Sequence, residues 1–352
     1  MVLNVFLLIL GIALLVKGAD WFVSGSSHIA KALKIPPLVI GLTLVSMGTS
    51  APEASVSINS AIQGMSDMSL GNVVGSNIFN TLFILGISTL ILPMTIRKEI
   101  KRYDIPIMLA SYIILIIFSF AISPLKLSTA ESILLLSAFV IYTAFLIARA
   151  IRSKRLNPLS EKLMNDAVLT TPLNDCPNTA PNKSDIQSPQ MSINDNNKPA
   201  KQKRKKPLIL SIFMAAIGLA GVIFGGDLVV DKASEIAKAL GMSEILVGLT
   251  IVAVGTSLPE LVTSVVASIK KENDIAIGNV VGSNIFNIVF ILGLSSSINN
   301  IVLSTDALVD ALVMLGSGIL VMFLCFLRPK RWQGVLMIGL YVGYLAYIIL
   351  RN

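Results

Sequence analysis

Two short stretches hold the residues best suited to chemistry. Gly48-Thr49-Ser50-Ala51-Pro52-Glu53 has a second copy, Gly255-Thr256-Ser257-Leu258-Pro259-Glu260. A further stretch, Gly71 to Asn80, recurs letter for letter as Gly278 to Asn287. Both pairs share one offset, as do Gly41-Leu42-Thr43 with Gly248-Leu249-Thr250 and Asp20 with Asp227. So long a match in one register is an internal duplication. It relates residues 1–145 to residues 208–352.

In each copy a proline directly precedes a glutamate. Pro52 lacks an N–H, and its ring crowds the carbonyl of Gly48 four residues earlier. A helix through this point should break, freeing carbonyls around Met47 to Thr49. Glu53 and Glu260 follow the two breaks, beside the hydroxyls of Thr49, Ser50, Thr256 and Ser257. Ser76 with Asn80, and Ser283 with Asn287, are four apart and share a helix face. Each pair can aim at the same point. Gly71, Gly75, Gly278 and Gly282 should permit close helix contact. Asn72 and Asn279, or Asn77 and Asn284, are expected to cap broken ends or bridge helices.

If the two copies face each other, they offer two carboxylates, carbonyls and hydroxyls, all hard oxygen ligands. Such a set fits Ca2+, which takes six to eight oxygens in a flexible cage. Zinc and copper favour His or Cys, and neither lies near these motifs. Mg2+ dehydrates reluctantly and suits an all-protein cage less well. Ser, Thr and Asn in such helices often serve only as glue between them. Glu53 and Glu260 resist that reading, because an acid within a bilayer is costly and marks function by default.

The elements that must position these groups are membrane helices. The chain has 352 residues, 54% apolar and only 14% charged, where a soluble domain carries about 25% charged. Two cysteines, Cys176 and Cys325, exclude a disulfide framework or a four-cysteine zinc site, and the single His28 argues against triad catalysis. No cofactor motif is present, so the chain does not read as an enzyme. Apolar runs approach or reach the roughly 17–25 residues that cross about 30 Å of hydrocarbon. They lack the strict alternation of a membrane barrel. With 37–64 and 244–269 taken as interrupted helices, the expected fold is an all-α membrane protein of ten transmembrane helices. Residues 1–24 read as the first span and not as a signal peptide.

The expected organisation is a first five-helix repeat over 1–150, a loop over 151–206 and a second five-helix repeat over 207–352. The loop is rich in Asn, Pro, Ser, Lys and Asp and is expected to be disordered. Its basic run, Lys201 to Lys206, fits anionic lipid and not nucleic acid, because no stacking aromatics lie nearby. An odd number of spans per half forces the second half to enter with opposite orientation. That is an inverted repeat, an architecture associated with secondary transporters. Segments 25–36, 96–103, 149–206, 270–275 and 328–331 hold most of the 28 Lys and Arg. The positive-inside rule then places the loop in the cytoplasm and both termini outside. Asp20, one turn from Lys17, Trp21 as an interfacial anchor, and a solvated His28 are expected to be structural.

These paired motifs resemble the two alpha repeats of the cation/calcium exchanger superfamily, and most of all its prokaryotic sodium/calcium antiporter branch. The resemblance covers the whole membrane portion. It implies exchange of Ca2+ for Na+ across the cytoplasmic (inner) membrane, with no cofactor and no obligatory protein partner. Lipid surrounds the chain, and H+ or K+ involvement stays open, including a proton/cation antiporter on the same scaffold. Carried over by position, Glu53 and Glu260 would be the main Ca2+ ligands, with the carbonyls of Thr49 and Thr256. Ser50, Ser257, Ser76, Ser283 and the carbonyls of Ser46 and Ala253 would serve Na+. Asn80 and Asn287 would lie at the centre. The long first spans of the two repeats would slide against the rest. Some members carry an acid at one of these two positions; here both are amides, which leaves the two glutamates as the obvious site charge.

Overall fold

The computed structural model describes residues 2–93, 96–118, 126–169, 207–241, 253–302, 304–327 and 330–351. Two expectations fall partly outside this set. They are the loop from 170 to 206, with Cys176 and the run Lys201 to Lys206, and the stretch 244–252 with Gly248-Leu249-Thr250.

The first helix of each half is long and apolar: α1 (Val2–Leu33) and α7 (Leu208–Ala239). They cross closely and antiparallel, with Gly11 against Gly225, Gly18 against Gly221 and Gly25 against Ala215. A Cβ on Gly18 would sit 2.7 Å from the backbone of Gly221. Only glycine allows that approach, which gains dispersion contacts where apolar lipid offers no hydrophobic drive.

The second element of the first half is interrupted as Pro52 requires. α2 (Pro37–Thr49) ends, and α3 (Ala51–Ile62) begins, on either side of Ser50. Ser50 has φ −80° and ψ 11°, outside the α range. In the second half α8 (Ala253–Gly255) and α9 (Leu258–Ile269) flank Thr256 and Ser257, and Ser257 has φ −92° and ψ 9°. The two proline motifs thus produce matching breaks.

The third elements, α4 (Ser66–Ile91) and α10 (Asn273–Ile298), are the most buried helices and form the centre of the molecule. Each contains a wide π-type segment, Phe79–Ile84 and Asn287–Leu292. Such segments insert an extra residue per turn and are frequent at functional sites. Phe79 stacks on Phe83 at 4.9 Å, and their counterparts Phe286 and Phe290 stack at 4.7 Å. Tyr341 closes on the first pair and Phe139 on the second. α5 (Ile105–Ile117), α6 (Thr129–Leu169), α11 (Thr305–Leu324) and α12 (Arg331–Arg351) pack around this centre. Among the described residues, seven helices are long and apolar enough to cross a membrane. α2 and α9 are shorter apolar helices.

Four local expectations need correction. α1 does not end near residue 25 but runs to Leu33, because Ser26 and Ser27 are buried inside the protein. His28 therefore lies in a helix and not in a solvated connection; it is half-buried, its Nδ1 2.6 Å from the Ser24 carbonyl. α6 continues past residue 150 to Leu169; Arg, Leu, Glu, Lys and Met there favour helix, while Pro158 removes one N–H from its hydrogen-bond ladder. The fold is not wholly helical either. β1 (Lys126–Leu127) and β2 (Ile301–Val302) pair antiparallel, with Leu127 opposite Ile301, and tie the two halves together.

Candidate cation site

Glu53 stands in the first turn of α3 and Glu260 in the first turn of α9. Both are wholly buried, at 0% exposure, and among the described residues no basic side chain meets either. Their partners are hydroxyls from the opposite half. Ser257 Oγ donates to Glu53 Oε1 at 2.8 Å, and Ser50 Oγ donates to Glu260 Oε1 at 2.8 Å. Each donor sits three residues before the glutamate of its own half and bonds the glutamate of the other, so the two carboxylates meet at one locus between the breaks.

The motif asparagines hold this locus in place. Asn72 Nδ2 donates to Ser57 Oγ at 2.8 Å and to the Glu53 carbonyl at 3.2 Å. Asn279 repeats this with Ser264 Oγ at 2.9 Å and the Glu260 carbonyl at 3.4 Å. Their side-chain oxygens accept from threonines across the interface, Asn279 from Thr49 at 3.0 Å and Asn72 from Thr256 at 3.4 Å. Deeper in, Asn77 Nδ2 donates to the Asn284 carbonyl at 3.2 Å, and Asn284 Nδ2 to Thr81 Oγ1 at 2.8 Å. The thioethers of Met314 and Met108 lie 3.6 Å from these two amide nitrogens. These four asparagines do bridge helices, as the sequence suggested; the thioether contacts carried no readable signal.

Asn80 and Asn287 are oriented by that network. Asn80 Nδ2 donates to Asn284 Oδ1 at 3.2 Å, and Asn287 Nδ2 to Asn77 Oδ1 at 3.0 Å. Once the NH2 groups are committed, the amide oxygens are left. Among the buried side-chain atoms left without a hydrogen-bond partner, four belong to these motifs: Glu53 Oε2, Glu260 Oε2, Asn80 Oδ1 and Asn287 Oδ1. Unpaired buried acceptors cost roughly 1–3 kcal/mol each, and charged ones more. Such a set is satisfied by a cation, which takes oxygen lone pairs and offsets carboxylate charge.

The remaining predicted residues border this centre. Ser76 Oγ lies 3.2 Å from Ser257 Oγ, and Ser283 Oγ donates to the Ser46 carbonyl at 3.4 Å. The Ser46 carbonyl also accepts the Ser50 N–H at 3.0 Å. Ala253 opens α8, and the residues just before it lie outside the described set. The expected glycine contacts are uneven. Gly278 packs on the backbone of Gly41 and Gly282 on Ser46, while a Cβ on Gly71 or Gly75 would meet nothing within 4 Å among the described residues.

Away from the centre, Asp20 meets more than Lys17. Lys270, just past α9, places Nζ 2.6 Å from Asp20 Oδ1, and it also donates to the Asp20 carbonyl and to Ser24 Oγ. Glu272 accepts from Ser27 at 2.6 Å and pairs with Lys31 at 3.4 Å.

A multi-helix membrane protein with two matching broken helices around buried acids is a transporter by architecture. Comparison with known proteins narrows the class. The sodium/calcium exchanger protein family matches residues 3–148 and 210–350. The chain belongs to that family, whose members are exchangers and not enzymes. It is similar to sodium/calcium exchanger MaX1 of Methanosarcina acetivorans, 33% identical over 98% of each chain. It is likewise similar to inner membrane protein YrbG of Escherichia coli, 33% identical over 99% of this chain and 97% of that one. The solved structure of the sodium-calcium exchanger NCX_Mj, soaked with zero Na+ and Ca2+, superposes with a TM-score of 0.77 at 29% identity. That match covers 99% of each chain.

Proposed function

We propose that this chain is a secondary antiporter that moves Ca2+ out of the cell in exchange for Na+, with Glu53 and Glu260 as the central ligands. The observation that carries the reading is the pair of wholly buried glutamates beside the two helix breaks, each with one oxygen left without a hydrogen-bond partner, together with the partnerless amide oxygens of Asn80 and Asn287 on α4 and α10. Thr49, Thr256, Ser50, Ser257, Ser76 and Ser283, and the carbonyls of Ser46 and Ala253, complete the ligand set around them. Two carboxylates in a low-dielectric interior repel each other strongly when bare. One Ca2+ neutralises both, and several Na+ ions achieve the same neutralisation with more ligands. The two loadings therefore compete for one site.

Ten spans arranged as two inverted five-helix repeats fit the antiparallel crossing of α1 with α7. Residues 1–150 form one repeat and 207–352 the other, joined through 151–206, whose first part continues α6 to Leu169. In the cytoplasmic membrane the loop lies inside and the termini outside, following the Lys/Arg bias. Alternating access then follows from sliding of α1 and α7 against the other helices. The loaded forms are neutral enough to switch sides, and the empty form switches poorly.

Radioactive Ca2+ flux into proteoliposomes tests this under imposed Na+, K+ or pH gradients. Na+-driven flux in the wild type, lost in both Glu53→Gln and Glu260→Gln, is the expected result. Flux driven by a pH gradient without Na+ would replace the reading with a proton antiporter. Flux without any counter-ion would indicate a channel.

A further inference from the structure

A cavity of about 610 Å3 lies away from the glutamates, between the start of α2, the segment 97–103 and α6. One wall is apolar, with Leu38, Phe145 and Ala148. The other carries three guanidinium groups, Arg97, Arg149 and Arg152, with Glu99 in the lining and Asp274 and Asp104 paired to Arg97 and Arg149. Nothing in the exchange reading uses these residues.

Two of the arginines are fixed in advance. Arg149 Nη1 donates to both carboxylate oxygens of Asp104, at 2.9 Å each, and Asp104 is wholly buried. The Tyr103 ring lies 5.9 Å from the Arg149 guanidinium. A guanidinium has five N–H donors; the bonds to Asp104 use only Nη1, and the rest of the group has no partner among the described residues. Arg97 is held by Asp274 at 2.7 Å. Arg152 is exposed and has no ion pair among the described residues. Pre-oriented guanidinium groups bind phosphate oxygens with little loss of side-chain entropy.

The apolar wall identifies which phosphate compound fits. Ile147 and Ile151, on the same helix but outside the cavity lining, are 54% and 52% exposed. In a membrane helix such residues face acyl chains. Arg149 and Arg152 follow where the apolar run of α6 gives way to charge, the depth of lipid headgroups. We infer that the cavity binds an anionic glycerophospholipid, with its phosphate on Arg149 and Arg152 and its acyl chains along α6. Basic pockets between helices on the cytoplasmic side bind such headgroups elsewhere. The inference is independent of the exchange reading, and its test involves no transport.

The test is native mass spectrometry of the delipidated full-length protein mixed with phosphatidylglycerol, phosphatidylcholine or inorganic phosphate. Phosphatidylglycerol should be retained in preference to phosphatidylcholine. Arg152→Gln, on an exposed side chain, should lower that retention by roughly fivefold, in line with about 1 kcal/mol per basic residue. Arg97→Gln should lower it as well, and Lys126→Gln, outside the cavity, should not change it. Equal retention of the two lipids, or unchanged retention in both arginine variants, overturns the inference. Displacement of the lipid by millimolar inorganic phosphate would also overturn it, by showing a site for a free anion.

Discussion

The Ser257 hydroxyl donates to Glu53 across the interface between the two halves, at 2.8 Å. The bond from Ser50 to Glu260 is its mirror, at the same length. Each carboxylate is thus held by the half that does not contain it. A hydrogen bond to a charged group is worth about 1.5–3 kcal/mol, so separating the halves at this point forfeits two such bonds. The arrangement also commits only one oxygen of each glutamate and leaves the other free for a ligand.

Replacing one glutamate separates charge from shape. In the cation-free protein two buried carboxylates oppose each other, so Glu53→Gln should raise the melting temperature in chelator. Wild type should gain about 2.7 kcal/mol at a Ca2+ concentration a hundredfold above Kd; the variant should gain almost none. Thermal unfolding with and without Ca2+ reads both changes. A Glu53→Gln protein that is still strongly stabilised by Ca2+ would remove Glu53 from the site.

Asn284 anchors the asparagine network from three directions, through its carbonyl, its Oδ1 and its Nδ2. Asn284→Ala keeps the carbonyl but strips the partner from Asn80 Nδ2 and from Thr81. Two buried polar groups left unpaired should cost about 2–6 kcal/mol in stability. Asn80 would also lose the bond that turns its amide oxygen away from the network. Both a lower melting temperature and a weaker Ca2+ response are therefore expected, measured on the same samples. A stability loss alone would make Asn284 structural only.

Much of this architecture was legible because its causes are local. The break at Ser50 follows from the missing N–H of Pro52, and the duplication is written in matching letters from Gly71 and Gly278 onward. The faces of Ser76 with Asn80 and Ser283 with Asn287 follow from helical spacing. The unread features depend on distant partners. The π-type segments at Phe79–Ile84 and Asn287–Leu292 have no sequence rule of their own. Ser26 and Ser27 look like a loop until their burial in the packed helices is known. The Lys126–Leu127 strand is too short for any period to show.

Gly282 tests the close approach of α2 to α10. A Cβ there would lie 2.7 Å from Ser46 Oγ and 2.9 Å from the Leu42 backbone. The serine can rotate, but the backbone cannot yield without moving α2. Overpacking of this kind typically costs about 1–3 kcal/mol, and here it also displaces the helix that leads to Thr49 and Ser50. Gly282→Ala should lower both the melting temperature and the Ca2+-dependent stabilisation. A variant with wild-type values in both would mean that α2 has room the structure does not show.

Lys270 provides the last test, because it links α1 to the end of α9 with an asymmetry between the halves. Its amine meets Asp20 and Ser24, both on α1. The residues equivalent to Lys270 and Glu272 in the first half are Gln63 and Met65, so the charged link has no charged copy. If α1 slides during exchange, this link must break in each cycle on one side of the membrane only. The Lys270 and Asp20 side chains are 26% and 40% exposed, so the pair adds under about 1 kcal/mol to stability. Lys270→Gln should therefore barely change the melting temperature but should alter the rate of Na+-driven Ca2+ flux. Asp20→Asn should shift the rate in the same direction, and the double variant should go no further than either single change, since both remove one interaction. Additive effects on flux would show that the two side chains act separately and that the link does not gate the movement of α1.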